Sequence, residues 1–189
     1  MTKKLISFFP HFTYPGGAGK LLLETSYRLI KNHNWDIDII TLKIDTDIVG
    51  KYDNITFHII DESLPSSYGY WINVNSIHKK AYQITKKIGD GLLYPHVFPA
   101  NYWGFYTKKR IKTKKCIYFC HEPSAFLYNN DVLRGVNGSI KYMGMIVRKP
   151  FIIYDKKMTK YADHIFTNSK FTNNLVKKIY NRRATIIYP

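Results

Sequence analysis

Along this whole chain, apolar runs short enough to be strands alternate with longer stretches whose apolar residues step by three and four. Leu5 to Phe9, Asp36 to Leu42, Ile55 to Ile60, Gly91 to Tyr94, Cys116 to Cys120, His164 to Thr167 and Ala184 to Tyr188 read as strands. Leu22, Leu23, Tyr27 and Ile30 make the inner stripe of a helix from about Lys20 to His33. Val74, Ile77, Ala81, Ile84 and Ile88 make a second, with Asn73 or Asn75 as its cap, after an irregular stretch from Asp61 to Trp71. The segment from Pro99 to Arg110 reads as a short helix. Strand–helix alternation predicts an α/β fold, a doubly wound, mostly parallel sheet with helices on both faces. Parallel neighbours need a long crossover, and the crossover helix packs back onto the sheet. No internal repeat or low-complexity linker interrupts the pattern, so residues 1–189 are expected to form a single domain.

Composition narrows the class. With 45% hydrophobic and 16% aromatic residues, the chain is rich enough in core formers to fold. No run approaches the ~18 apolar residues of a membrane span. The apolar stretch near Met1 is too short, and lacks the small-residue cleavage site, to be a signal peptide, so a first core strand is expected there. Cys116 and Cys120 share one face of a strand but lie too far apart along it to bond. Reduced, buried thiols are expected, which suits the cytoplasm. Twenty-nine Lys and Arg against 13 Asp and Glu give a formal charge of +16, a surface that attracts phosphates. The charge is spread along the chain and forms no recognised nucleic-acid motif, so nucleic acid is not expected as a partner.

Chemistry gathers where strands end. The run closing at Cys120 stops abruptly in His121-Glu122-Pro123, and open α/β sheets bind ligands outside the carboxyl ends of their strands. His11 and His96, each beside a proline after a strand, point to the same crevice. After the first strand, Pro15-Gly16-Gly17-Ala18-Gly19 must turn sharply into a helix. Glycine there lets a ligand approach the backbone, and the helix N-terminus offers N–H groups to an anion. The loop is not a P-loop, because Leu21 stands where Ser or Thr would bind magnesium. Nor is it the dinucleotide fingerprint, because Leu22 stands at the third small position.

Towards the C-terminus, Ile140, Met143, Val147, Phe151, Tyr154, Met158 and Tyr161 form a long helical stripe that Pro150 is expected to kink or split. Ser169 is placed to cap a helix whose inner face is Phe171, Leu175, Val176 and Ile179.

Four stretches in this order and spacing are together similar to a known family. They are Gly16-Gly17-Ala18-Gly19, then Cys120-His121-Glu122-Pro123 with Phe126-Leu127-Tyr128, then Ala162 to Thr172, and the ending Ile186-Ile187-Tyr188-Pro189. They resemble the N-terminal half of the family-4, retaining glycosyltransferases of the GT-B fold. The resemblance implies a Rossmann-like acceptor-side domain. It implies further that a donor-binding domain, in cis or on a separate polypeptide, supplies the paired glutamates that this chain lacks, and that this half alone is inactive. Gly16, Gly17 and Ala18 would approach the donor's phosphates and the reacting sugar. His121 would sit near the transferred sugar and stabilise charge in an oxocarbenium-like transition state. Glu122, Ser169, Lys170, His11 and His96 would serve the acceptor.

The implied partners are a nucleotide-sugar and a saccharide or lipid-linked acceptor, with no cofactor and no metal. The residues agree on the metal, since no Cys/His/Asp cluster has ligand spacing and His121-Glu122 lacks the second histidine of a zincin. Basic and apolar residues mix on one helix, with Lys141, Arg148, Lys149, Lys156, Lys157 and Lys160 beside Met143, Met145, Ile146, Phe151 and Tyr154. They suggest peripheral contact with an anionic membrane on its inner, cytoplasmic face, each exposed cation being worth about 1 kcal/mol there. The alternatives are that this stripe is core, and that the chain is a non-catalytic module binding a phosphorylated or sugar ligand.

Overall fold

The computed structural model describes residues 3–60, 63–129 and 138–188, and only the backbone of 138–147. The elements run β1 (Lys3–Phe8), α1 (Gly17–His33), β2 (Trp35–Thr41), α2 (Thr46–Val49), β3 (Thr56–Ile59), α3 (Tyr68–Ile88) and β4 (Leu92–Pro95). They continue with α4 (Ala100–Arg110), β5 (Ile117–Cys120), α5 (Ala125–Tyr128), α6 (Gly138–Thr159), β6 (His164–Thr167), α7 (Lys170–Tyr180) and β7 (Thr185–Ile186).

Parallel pairing sets the strand order β3-β2-β1-β4 in one sheet and β5-β6-β7 in a second. A parallel bridge between Leu93 and Cys116 joins the two, and the Leu93 N–H donates to the Lys115 carbonyl at 2.9 Å. The result is one doubly wound, Rossmann-like array whose winding reverses between β1 and β4. The crevice of such a fold opens at that reversal.

Alternating side chains divide the core between the two faces. Leu5, Ile37, Ile39 and Phe119 pack with Leu22 and Leu23 of α1 on one face. Ile6, Phe8, Ile40, Leu93, Tyr118 and Cys120 pack with Tyr70, Ile77 and Trp103 of α3 and α4 on the other. On that second face α4 comes close to the strands. A Cβ on Gly104 would lie 2.6 Å from the Pro95 Cβ and 3.2 Å from the Phe8 ring, so only glycine fits.

Several expectations change. Helix α3 starts at Tyr68, inside the stretch expected to be irregular, and its cap is Ser67, whose hydroxyl accepts from the Tyr70 N–H at 3.3 Å, rather than Asn73 or Asn75. Burial of Tyr70 against the core, with the Trp103 indole donating to its hydroxyl at 3.1 Å, outweighs the local Ser/Pro/Gly signal. Helix α6 runs through Pro150 without splitting, and β7 is only two residues long. The Glu24 carboxylate accepts a hydrogen bond from the Tyr52 hydroxyl at 2.6 Å and lies 3.8 Å from Lys51. The two cysteines are free and buried, and burial pushes the Cys120 thiol up to about 12, which leaves it unreactive. Among the described residues, no helix is long and apolar enough to cross a membrane.

Candidate functional site

Strands β4 and β5 deliver two histidines to the same end of the sheet. The His96 N–H donates to the Phe8 carbonyl at 3.1 Å, which continues the β1–β4 pairing past the strand. One residue beyond Cys120, His121 turns towards it, and His96 Nδ1 lies 3.0 Å from His121 Nε2. The His96 ring is 1% exposed. It stacks on Phe119 at 5.6 Å and 11°, and Tyr94 meets it edge-on at 4.5 Å. Phe119 also packs against His121 at 4.6 Å. The His121 carbonyl accepts the Thr172 hydroxyl at 3.1 Å, so the first turn of α7 anchors its backbone.

Burial disfavours the charged form of both rings. It holds His121 down at about 4, and His96 well below its ordinary value, where any charge on His121 depresses it further. At neutral pH both are neutral imidazoles, and one donates to the other. His96 Nε2 is buried without a partner among the described residues. An N–H stranded there would cost more than a bare lone pair. The His96 proton therefore belongs on Nδ1, donating to His121 Nε2, and the His121 proton on Nδ1.

The glycine loop is open. Gly16 caps α1 in an extended conformation with no side-chain hydrogen bond. The helix's first backbone bond runs from the Lys20 N–H to the Gly16 carbonyl at 2.9 Å, which leaves the N–H groups of Gly17, Ala18 and Gly19 directed out of the helix end. A Cβ on Gly17 would meet nothing within 4 Å, whereas one on Gly16 would come within 3.3 Å of the Tyr14 ring.

Two concavities meet at Gly17. A cleft of 560 Å³ lies between the loops after β1 and β4, bounded by His11, Tyr14, Trp71 and Phe98. A groove of 440 Å³ on the other side carries Lys20, Glu24, Arg28, Tyr94, Phe119 and Tyr188. Tyr94 and Phe119, the rings that hold the histidine pair, thus border the same groove as the open end of α1.

The residues expected to serve an acceptor fall into separate places. Half-buried His11 lines the cleft, its Nδ1 2.9 Å from the Thr13 hydroxyl, and burial lowers its pKa. His96 lies beneath His121 instead of on the cleft surface. Exposed Glu122 borders a third groove, with Lys156, Phe171 and Lys178. Ser169 caps α7, accepting from the Thr172 N–H at 3.1 Å and bonding its hydroxyl at 3.0 Å. Lys170, exposed, is the first residue of that helix. Among the described residues, no group of three or more His, Cys, Asp or Glu could hold a metal ion.

Sequence reasoning missed Trp71 and Tyr14, whose signal was an aromatic residue inside a Gly/Pro-rich stretch. It also missed Asp155, which is 1% exposed. Its carboxylate accepts the Tyr102 hydroxyl at 2.9 Å and the Tyr128 hydroxyl at 2.6 Å, with Tyr180 adding a further bond. Burial raises the Asp155 pKa, and the tyrosines oppose that rise. A lone acid in the aromatic and basic stretch from Phe151 to Lys160 was the available clue.

No family model and no curated protein matches the chain. Solved structures do. HepE (Alr3699) of Anabaena, solved in complex with UDP and glucose, superposes with a TM-score of 0.65 at 12% identity, over 100% of this chain and 44% of its own. MurG of Acinetobacter baumannii superposes with a TM-score of 0.59 at 10% identity, over 98% of this chain and 45% of its own. The chain spans less than half the length of each. Both are GT-B glycosyltransferases, and at these identities what the chain shares with them is the fold, a Rossmann-like GT-B half.

Proposed function

We propose that this chain is the acceptor-binding half of a retaining GT-B glycosyltransferase that moves a sugar from a nucleotide-sugar to a saccharide or lipid-linked acceptor. One arrangement carries the reading: a neutral, buried histidine pair at the strand ends, held by rings that share a groove with the open end of α1. The superposition with HepE, a protein solved with UDP and glucose, supports it.

In this reading the N–H groups of Gly17 and Ala18, with Lys20 and Arg28 nearby, meet the donor's phosphates. His121 takes part as a neutral donor. Its Nδ1, which has no partner among the described residues, donates to a sugar hydroxyl in this reading, and the ring stabilises charge that develops on the sugar in the transition state. His96 does not touch substrate. It holds the tautomer of His121. No metal is expected, and the chain is expected to need a donor-binding half that supplies paired carboxylates. The expected setting is the cytoplasm.

Peripheral attachment to the inner face of a membrane belongs to the same reading. Phe151, Ile153, Tyr154, Lys149, Lys156, Lys157 and Lys160 are exposed on and just beyond α6. Arg148 does not join them, being buried and bonded to the Asn129 carbonyl at 2.9 Å. Lys141, Met143, Met145 and Ile146 lie outside the described side chains. Failure to co-sediment with anionic vesicles at low salt would remove the membrane from the proposal.

The decisive experiment joins the chain to its donor-binding half and assays transfer from UDP-sugars. His121→Ala is expected to abolish most of the turnover while nucleotide binding persists. Full turnover in that variant would leave the non-catalytic sugar- or phosphate-binding module as the better account.

A further inference from the structure

Exposed apolar residues scattered singly are ordinary on a folded protein, but here they gather in two linked groups. At the start of α3, Tyr68 is 81% exposed and Ile72 is 65% exposed, one helical turn apart and so on one face. Trp71 lies beside them. Its indole N–H donates to the Pro65 carbonyl at 2.9 Å, so the ring is oriented and its polar atom satisfied. Helix α6 exposes the second group, Phe151, Ile153 and Tyr154. A ladder of rings joins the two. Trp71 lies 6.0 Å from Phe98, Phe98 5.5 Å from Tyr102, and Tyr102 5.3 Å from Tyr154. The tip of α3 and the middle of α6 are therefore held at a fixed spacing across α4.

Helices α3, α4 and α6 carry one acid between them, Asp155, and it is buried among tyrosines. Their exposed cations include Lys79, Lys149, Lys156 and Lys157. In the connections that follow α3 and α6, Asp90 and Asp163 are matched by Lys114 at 3.6 Å and Lys108 at 2.9 Å. A second copy of the chain would set this cationic layer against itself. A nucleic acid would use the cations and the rings but leave Ile72 and Ile153, the latter 68% exposed, with nothing to pack on. An anionic lipid surface satisfies all three kinds of side chain. Lipid phosphates meet the lysines, isoleucines enter the acyl boundary, and Trp and Tyr favour the zone between.

We propose that α3 and α6 together form a lipid-docking surface in which Tyr68, Trp71 and Ile72 enter the interface of an anionic bilayer. Resting on the glycosyltransferase reading, this goes beyond attachment through α6 and sets an orientation. Trp71 also lines the cleft, so the rim of the cleft lies at the level of the lipid headgroups.

Co-sedimentation of the intact protein tests it, with vesicles of phosphatidylcholine alone and of equal parts phosphatidylcholine and phosphatidylglycerol. Binding is expected to the anionic vesicles at low salt, weakening as salt is added. Tyr68→Ser combined with Ile72→Ser should cut that partitioning by about tenfold, as two partly inserted side chains are withdrawn. Phosphatidylcholine brominated along its chains, mixed into the anionic vesicles, should quench part of the tryptophan emission. Trp71→Phe should remove most of that quenching, since Trp103 is buried in the core. Unchanged thermal melting would show that these positions do not disturb the fold. Full partitioning by the Tyr68 and Ile72 double variant, or quenching that persists in Trp71→Phe, would overturn the proposal. Attachment through α6 would survive that result if Ile153→Ser still weakened binding. Absence of vesicle binding by every form would remove both, while sugar transfer by the assembled enzyme would keep the wider reading standing. Capture of single-stranded DNA in preference to anionic vesicles would overturn the proposal in favour of a nucleic acid.

Discussion

His96 Nδ1 lies 3.0 Å from His121 Nε2, and this contact joins the ends of β4 and β5 by a single hydrogen. Two protonated imidazoles cannot face each other at that distance, so at most one ring of the pair can carry charge. The His96 ring, closed in by Phe119 and Tyr94, is the one that stays neutral longest as the pH falls.

Acid should destabilise this protein early. His78, His96 and His121 are all held below the ordinary histidine value of 6.5, with His78 and His121 near 4. Below pH 6.5 the unfolded chain takes up protons that the folded chain refuses, so stability falls with pH. It is intact above about 6.5 and is lost progressively down to about 4. Each such group adds a slope of about 1.4 kcal/mol per pH unit within that window. Urea melts between pH 7.5 and 4.5 check this, and a flat midpoint would contradict the burial described.

On the proposed function, replacing His121 by Ala should lower kcat in the assembled enzyme by about 10²- to 10³-fold, the cost of losing one positioned donor. His96→Leu should act indirectly. His121 keeps its place on Thr172 but loses the N–H that occupies its Nε2, so its pKa should rise. A smaller fall in kcat is expected, with the acid limb of the kcat/KM profile moved to higher pH. A merely structural role for His96 would leave that limb where it is.

Gly17 and Gly104 should respond in opposite ways. Gly17→Ala meets open space, so the fold should keep its stability while affinity for a UDP-sugar falls by about tenfold, because a methyl then stands at the proposed phosphate approach. Gly104→Ala drives a Cβ into Pro95 and should cost about 1–3 kcal/mol by overpacking. Denaturant midpoints and nucleotide-sugar titration on both variants separate the two effects.

Asp155→Asn should destabilise the protein by about 1–3 kcal/mol. An amide nitrogen would then face a tyrosine hydroxyl that needs an acceptor, and a buried donor loses its partner. Thermal melting reads the loss. Because Tyr102, Tyr128 and Tyr180 belong to α4, α5 and α7, the variant should also loosen hydrogen-exchange protection in those three helices together.

The amino-acid sequence alone determined the architecture. Periodicity places nearly every strand and long helix, since apolar alternation and three-four spacing are local properties of the chain. It also put His121 and the glycine loop at strand ends, because the residues that end a strand are read directly. Tertiary structure decided what those residues meet. The partnership of His96 with His121 joins positions 25 residues apart, and the Asp155 cluster joins helices 53 and 27 residues away from it. The start of α3 at Tyr68 followed burial of a ring against the far side of the sheet, which overrode a local turn signal. The aromatic cleft came from bringing Tyr14 and Trp71 to one opening between the loops after β1 and β4. Such pairings depend on strand order, and strand order is set by how helices cover the two faces of the sheet, which no local window of residues contains.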